Sequence, residues 1–229
     1  MIKDPPVLTI RRRFERPAAE LVAALSDIPT GYLIDAMSGR GALSHRIKPL
    51  SPERSRLAGV AVTCQAGPAD NLAVFGALAV VRPGDIIVAA TDAFTGTSVT
   101  GDLLIGMARN RGAAGFVTDG LVRDLPGIEA VGLPVYCAGV TPNSPARNGP
   151  GTVGLPVVLG DVAVSPGDIL VGDRDGIAVV PRVEAEAVLA RLTGIAAAEH
   201  ALEAKVKAGL EIPDFITDIL NSDRTSYLD

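Results

Sequence analysis

The spacing of apolar residues changes period repeatedly along the chain. Leu21, Val22 and Leu25 share one face behind Pro17, which predicts a first helix over about residues 17–27. TGYLIDAMSGRG reads as a second short helix, stopped by Gly39 and Gly41. Unbroken apolar runs then alternate with helical ones. LAGVAVTCQA and DIIVAAT predict strands, and NLAVFGALAVV between them predicts an apolar helix ended by Pro83-Gly84. The glycine-rich DAFTGTSVTG reads as a loop, DLLIGMARNR as a helix closed by Gly112, and GFVT as the next strand. A short helix over LPGIEAVG and the strand PVYCAG follow. Between 151 and 181, TVGLPVVL, VAVSPGDILVGD and GIAVVP all read as strands. The chain closes with a long helix over about 182–208 and a polar tail, and residues 1–16 read as a polar N-terminal arm. Strands alternating with helices, then a β-rich finish, imply a mixed α/β core. No linker-like stretch divides residues 1–229, so a single domain is expected.

Composition narrows the class. Hydrophobic residues make up 48% of the 229, carried by Ala, Val, Leu and Ile, with no Trp and 3% aromatic residues. That profile fits aliphatic α/β packing. A net charge of −5 with so few aromatics offers neither a basic stripe nor a stacking platform, so nucleic acid is not an expected partner. Cys64 and Cys137 stand alone in apolar settings and read as buried, reduced thiols. His45 and His200 have no partner at zinc-ligand spacing. The N-terminus carries charge where a signal peptide needs an apolar run, and no stretch reaches the ~20 apolar residues of a membrane span. A soluble, cytoplasmic chain is expected.

Familiar motifs fail on inspection. GTSVTGDL has Gly96 and Gly101 at P-loop spacing, but Asp102-Leu103 stands where Lys-Ser/Thr belongs, and a carboxylate there would repel phosphate. SGRGAL follows no strand and lacks the third glycine of a dinucleotide loop. No G-x-S-x-G elbow appears.

One constellation survives. The helix that starts at Asp102 carries the chain outward by roughly 15 Å over about ten residues. The strand beginning at Gly115 brings it back by roughly 16 Å. Residues 101–104 and 120–124 should therefore share one rim of the sheet, where open α/β folds bind their ligands. On that rim the amides of Leu103 and Leu104 suit an anion such as a carboxylate. Arg123 can grip a carboxylate with a fork, and Asp124 is a hard oxygen ligand for Mg²⁺. Asp102 could hold a water and accept a proton. Simpler roles stand beside these. Asp102 at the helix start can merely complement the dipole, and Arg123–Asp124 can be a surface pair. Asp119-Gly120 reads as a turn, with Asp119 solvated or capping.

GDLLIGMARNRGAAGFVTDGLVRD, with Asp102, twenty intervening residues and Arg123-Asp124, resembles the class II 4-hydroxy-4-methyl-2-oxoglutarate aldolase family, also called RraA-like. RPGDIIVAA, GLPVYCAGVTPNSP, GPGTVGLPVVLGDVAVSPGDILVGDRDGIAVVP and the long C-terminal helix extend the resemblance over most of the chain. It implies an α/β sandwich of swivelling-domain type with a mixed sheet, assembled as homotrimers or homohexamers with sites between subunits. It also implies pyruvate aldolases that depend on Mg²⁺ or Mn²⁺ and also decarboxylate oxaloacetate, acting on small 2-keto acids.

The family's roles carry over residue by residue. Arg123 would bind the pyruvyl end and Asp124 would be the direct metal ligand. Asp102 would orient or deprotonate a water on the metal, and the backbone of Gly101, Leu103 and Leu104 would hold the substrate carboxylate. Glu199, or Glu203 one turn later, matches a glutamate that a neighbouring subunit lends to the site; a solvated helix face explains both equally well. Family aldolases commonly have an acidic residue three positions after the metal aspartate, where this chain has Gly127. The regulator branch typically lacks an aspartate at the position of Asp124, so its presence favours an enzyme over a non-enzymatic regulator of a protein partner. Loops 92–100 and 142–150 and a neighbouring subunit are expected to set the substrate, and residues 182–229 to form a contact between subunits.

Overall fold

The computed structural model describes residues 6–228. The chain runs through β1 (Leu8–Ile10), α1 (Ala19–Leu25), α2 (Thr30–Ala36), β2 (Lys48–Pro49) and β3 (Leu57–Gln65). Next come α3 (Leu72–Ala77), β4 (Asp85–Ala90), β5 (Ser98–Thr100), α4 (Asp102–Asn110) and β6 (Gly115–Thr118). These lead into β7 (Leu121–Val122), α5 (Leu125–Val131), β8 (Val135–Cys137), β9 (Gly139–Val140) and β10 (Gly151–Val153). The remainder is β11 (Val157–Leu159), β12 (Val162–Val164), β13 (Ile169–Gly172), β14 (Ile177–Val180), α6 (Ala185–Lys207) and α7 (Asp214–Leu220).

The expected mixed α/β architecture is present. A nine-stranded sheet runs β1-β10-β3-β4-β6-β8-β2, with the β13–β14 hairpin on the same edge of β3 as β10. The nine-residue β3 serves two partners along that edge, its first residues pairing with β13 and its last with β10. β3, β4, β6 and β8 are mutually parallel. Parallel strands covered on both faces read as continuous apolar runs rather than alternating ones, which is why DIIVAA carries no period of two.

Alternate residues of these strands nevertheless enter different layers. Ile87, Ala89 and Phe116 pack under α3, α4 and α5. Ile86, Val88 and Val117 face the opposite layer, with Tyr136 and the β11–β12 hairpin. A third cluster lies where α1, α2 and the first half of α6 cover Ile169, Val171, Ala178 and Val180 of the β13–β14 hairpin. Among the described residues no helix is long and apolar enough to cross a membrane.

Two local expectations need correction. The described part of the N-terminal arm is not free polar chain; residues 1–5 of that arm lie outside the described residues. Leu8–Ile10 pairs in parallel with Gly151–Val153. Leu8, Ile10 and Phe14 pack on the core, and Arg16 meets the buried Asp85 at 2.8 Å. The three apolar side chains and the open backbone edge of β10 outweigh the surrounding charge. The glycine-rich loop 92–101 is likewise not all loop, because Ser98–Thr100 forms β5. It pairs with β7, which pairs with β9, as a small parallel sheet beyond the carboxyl ends of β4, β6 and β8. Two- and three-residue strands carry too few positions for a periodic signal.

Asp119 joins the two sheets. Its carboxylate is buried at the break between β6 and β7, accepting bonds from the Thr91 amide (2.7 Å), the Thr91 hydroxyl (2.9 Å) and the Ala93 amide (2.9 Å). Of the two roles expected for Asp119 at this turn, solvated or capping, it caps, and so clamps the ends of β4 and β6 together.

A second carboxylate acts at a distance. Pro29 precedes α2 and offers no side-chain oxygen to cap it. Asp173 supplies the oxygens instead, accepting from the Thr30 amide (2.8 Å) and hydroxyl (2.9 Å) and from the Asp175 amide (2.9 Å). Burial pushes the Asp173 pKa up, but these bonds outweigh burial and leave it lowered. A lowered folded-state pKa contributes stability above the unfolded value, near 3.9, that is lost as pH falls through the folded value. Asp173→Asn should therefore lower the urea midpoint at pH 7 by the equivalent of about 1 kcal/mol, with the gap to wild type closing below about pH 4. Parallel denaturation curves at the two pH values check this.

Candidate active site

The rim expected to gather residues 101–104 and 120–124 does so. Gly101, extended at φ −139°, leads from β5 into α4, and Asp102 is the first helical residue. Leu104, Ile105 and Ala108 are buried, while Leu103 and Met107 stay exposed on the helix face that lines a cleft. The Arg123 amide donates to the Thr100 carbonyl at 3.0 Å, which sets the end of β7 beside the start of α4. Asp102, Arg123 and Asp124 consequently line one open cleft of about 290 Å³.

Asp124 adopts the left-handed conformation, φ 60° and ψ 44°, directly before α5. Aspartate tolerates this region better than most residues, yet such conformers persist only where the surroundings enforce them. Here the Asp124 carbonyl accepts the first helical bond of α5, from Ile128 at 3.0 Å. The Arg123 Nε meets Asp124 Oδ2 at 3.0 Å, and a terminal guanidinium nitrogen donates to the Ser144 hydroxyl. The two neighbours therefore pair with each other and also face the cleft. Both side chains are about two-fifths exposed, so their mutual attraction is worth little to stability and leaves them available to a ligand.

The site depends on two missing side chains. A Cβ on Gly101 would lie 2.4 Å from Asp124 Oδ2, and one on Gly127 would lie 2.4 Å from Asp102 Oδ2. Each glycine leaves the space its carboxylate fills. At Gly127 the added Cβ would also lie 2.6 Å from the Asp102 Cβ, so α5 approaches Asp102 closely there. Two hard carboxylates beside open, solvent-filled space suit a Mg²⁺-type cation that keeps most of its waters. No cluster of three or more His, Cys, Asp and Glu with metal-binding geometry occurs among the described residues, so a closed site of zinc type does not fit.

The structure qualifies the anion-binding amides. Asp102 Oδ1 accepts the Leu103 amide at 2.7 Å, so that donor is engaged by the helix's own first residue. Glu199 is exposed on the outer half of α6 and is not among the residues lining the cleft. Glu203 pairs with Lys207 one turn on. Within one chain the helix does not bring either glutamate to the rim. Both cysteines are buried, and burial pushes their thiols up, Cys64 to about 12 and Cys137 to about 11.

Part of the cleft lies outside β5, α4 and the Arg123-Asp124 pair. Asn71, Phe75, Ser144 and Arg147 line it, from the start of α3 and the segment after β9. Of the two loops expected to shape the pocket, Ser98 and Thr100 come from the first and Ser144, Pro145 and Arg147 from the second.

An α/β sandwich with a cleft on its carboxyl rim, built from a helix start and an Arg-Asp pair, defines the class of this protein. The chain belongs to the RraA-like family, whose model, described as Aldolase/RraA, matches residues 22–179. It is 38% identical over 170 residues to the "Putative 4-hydroxy-4-methyl-2-oxoglutarate aldolase" of Halalkalibacterium halodurans, covering 74% of this chain and 80% of that one. The fold superposes on Streptomyces coelicolor RraAS2, described as an unusual member of the RNase ES inhibitor RraA protein family, with a TM-score of 0.75 and 29% identity; 83% of this chain and 100% of that one are covered. A protein of unassigned function from Pseudomonas syringae pv. tomato gives a TM-score of 0.74 at 25% identity, covering 86% of this chain and 96% of that one.

The glycine cradle makes a direct prediction. Gly127 lies in α5 without a positive φ, so Gly127→Ala carries no backbone strain and should gain helix propensity. Its methyl would instead strike the Cβ of Asp102 at 2.6 Å, which is not a flexible tip. The variant should lose about 1–3 kcal/mol in chemical denaturation despite the better helix former.

Proposed function

We propose that this protein is a divalent-metal-dependent pyruvate aldolase that cleaves a 4-hydroxy-2-oxo acid of the 4-hydroxy-4-methyl-2-oxoglutarate kind and also decarboxylates oxaloacetate. The observation that carries this reading is the convergence of Asp102, Arg123 and Asp124 on one cleft with a glycine behind each carboxylate. The similarity to the aldolase-named relative supports it.

Asp124, with Asp102 nearby, would hold Mg²⁺ or Mn²⁺. When bound, the cation supplies Lewis-acid polarisation of the substrate's keto oxygen. Arg123 binds the pyruvyl end through the guanidinium donors not used by Asp124 and Ser144. The Leu104 amide, and the Leu103 amide once Asp102 turns away from it, hold the substrate carboxylate with the backbone of Gly101. Asp102, through a water, accepts the proton of the distal hydroxyl. The hydroxyl oxygen then forms a carbonyl, the C3–C4 bond breaks, and its electron pair moves into the pyruvate enolate. Arg123 faces that developing negative charge, and protonation at C3 gives pyruvate. Oxaloacetate loses CO₂ from C4 to reach the same enolate, so one set of residues serves both reactions.

Arg123→Lys keeps the charge but loses the planar fork, and should lower both activities together by about 100-fold or more in kcat/KM. Asp124→Asn should abolish metal-dependent pyruvate release while the circular dichroism spectrum stays that of wild type. Loss of one activity alone in Arg123→Lys would break the shared-enolate scheme. No pyruvate from any keto acid with Mg²⁺ or Mn²⁺ would favour a second reading, a non-enzymatic regulator of a protein partner, which the likeness to an RNase ES inhibitor family member keeps in view.

We also infer a homotrimer or homohexamer in the cytoplasm, with residues 182–229 at the subunit contact. Val188 and Leu192 of α6 pack on the chain's own core, but from Ala197 to Gly209 every residue is exposed. Leu202, Val206, Ile212 and Phe215 carry apolar surface into solvent there, and α7 has no buried residue. Such a helix end is unstable alone and is supported by docking on a second copy, which would bring Glu199 to a neighbour's cleft. Deleting residues 209–229 should reduce the mass seen by light scattering and lower turnover with it. A truncated monomer with full turnover would rule out a shared site.

A further inference from the structure

The guanidinium of Arg123 is held at two of its three nitrogens. Nε donates to Asp124 Oδ2 at 3.0 Å, and Nη1 donates to the Ser144 hydroxyl. A guanidinium held through Nε alone can still turn about the Cδ–Nε bond. A second bond at Nη1 stops that turn, because the group is planar and rigid. Among the described residues Nη2 meets no acceptor, so it is the nitrogen left for a ligand. The two supports are not equivalent. A carboxylate turned towards a cation offers Arg123 less, whereas the neutral Ser144 hydroxyl keeps its hold.

Ser144 stands on a backbone tied down on both flanks. The carbonyl of Asn143, the residue before it, accepts from the Ser98 amide at 3.0 Å and from the Ser98 hydroxyl at 2.7 Å. The Asn143 side chain donates to the Gly96 carbonyl at 3.0 Å. Pro145 follows and restricts Ser144 to extended backbone. Beyond it, the Ala146 amide donates to the Ala69 carbonyl at 2.7 Å, and the Ala146 carbonyl accepts the Asn71 amide at 3.0 Å. The segment is thus fastened to β5 before Ser144 and to the start of α3 after it. Ser144 itself is exposed and lines the cleft. Water would satisfy Arg123 Nη1 about as well at such a place, so the bond supplies direction rather than stability.

We propose that Ser144 is the positioning residue of Arg123: by accepting Nη1 it aims Nη2 at the oxygen on which the pyruvate enolate gathers charge. The assignment rests on the keto-acid reading of the cleft and deepens it. Ser144 acts through Arg123 and needs no contact with substrate or cation.

The test separates ground state from enolate by binding alone. Pyruvate carries a neutral keto oxygen, whereas oxalate carries negative charge at the corresponding place and resembles the enolate. Calorimetric titration of the full chain with Mg²⁺ present should show Ser144→Ala losing about tenfold in oxalate affinity but less than about threefold in pyruvate affinity. Ser144→Thr keeps the acceptor oxygen and should stay within about threefold of wild type for both ligands. Nitrogen-15 NMR of the protein without metal or ligand reads the same bond directly. The two terminal nitrogens of Arg123 should exchange about tenfold faster in Ser144→Ala, since one bond fewer must break for the group to turn. Unchanged exchange, or equal losses for oxalate and pyruvate, overturns the role of Ser144 alone. Wild-type protein that binds neither ligand overturns the keto-acid reading of the cleft, and the aim assigned to Arg123 with it.

Discussion

Burial of β4 and β6 on both faces is the constraint from which the rest of the rim follows. Every residue of Asp85–Ala90 and Gly115–Thr118 is buried, so the two strands pair in one register and stop level with each other. Beyond that level the chain can no longer sit between two apolar layers, and its polar groups need other partners. Asp119 meets that need by gathering Thr91 and Ala93 onto one carboxylate. The short β5-β7-β9 sheet then continues the parallel order outward and carries the Arg-Asp pair with it.

The cleft is assembled from compromises that only its contents justify. Asp124 holds a left-handed backbone, Asn71 buries an unpartnered oxygen, and two glycines give up side chains to make room for carboxylates. Each is a small cost to stability located within one cleft. Elsewhere aliphatic side chains fill three clusters, and the remote carboxylate of Asp173 satisfies the start of α2.

The C-terminal half of α6 and α7 follow a different logic. Their apolar residues are neither gathered into a stripe on the chain's own core nor replaced by charge. The proposed contact with a second copy would cover those apolar residues; within the single chain Glu199 and Glu203 lie away from the rim.

Local chain lengths made the first wall of the cleft legible without coordinates. A nine-residue helix leaving Asp102 and a short strand returning from Gly115 bring Asp102 level with Arg123-Asp124, because helical and strand rises are nearly invariant. The unbroken apolar runs likewise point to the central strands β3, β4 and β6. The described part of the N-terminal arm and the strand within loop 92–101 escape a reading of the sequence. In each, pairing with a remote segment overrides a weak local preference. What brings Asn71 and Phe75 to loop 142–150, expected at the pocket, belongs to the tertiary structure alone. Asn71 and Arg147 lie 76 positions apart, at either side of a bridge between Asp70 and Ala146. That bridge depends on Asp70 reaching Asn148 and Gly149, and contacts closed by one carboxylate across so long a loop leave no periodicity in the sequence to read.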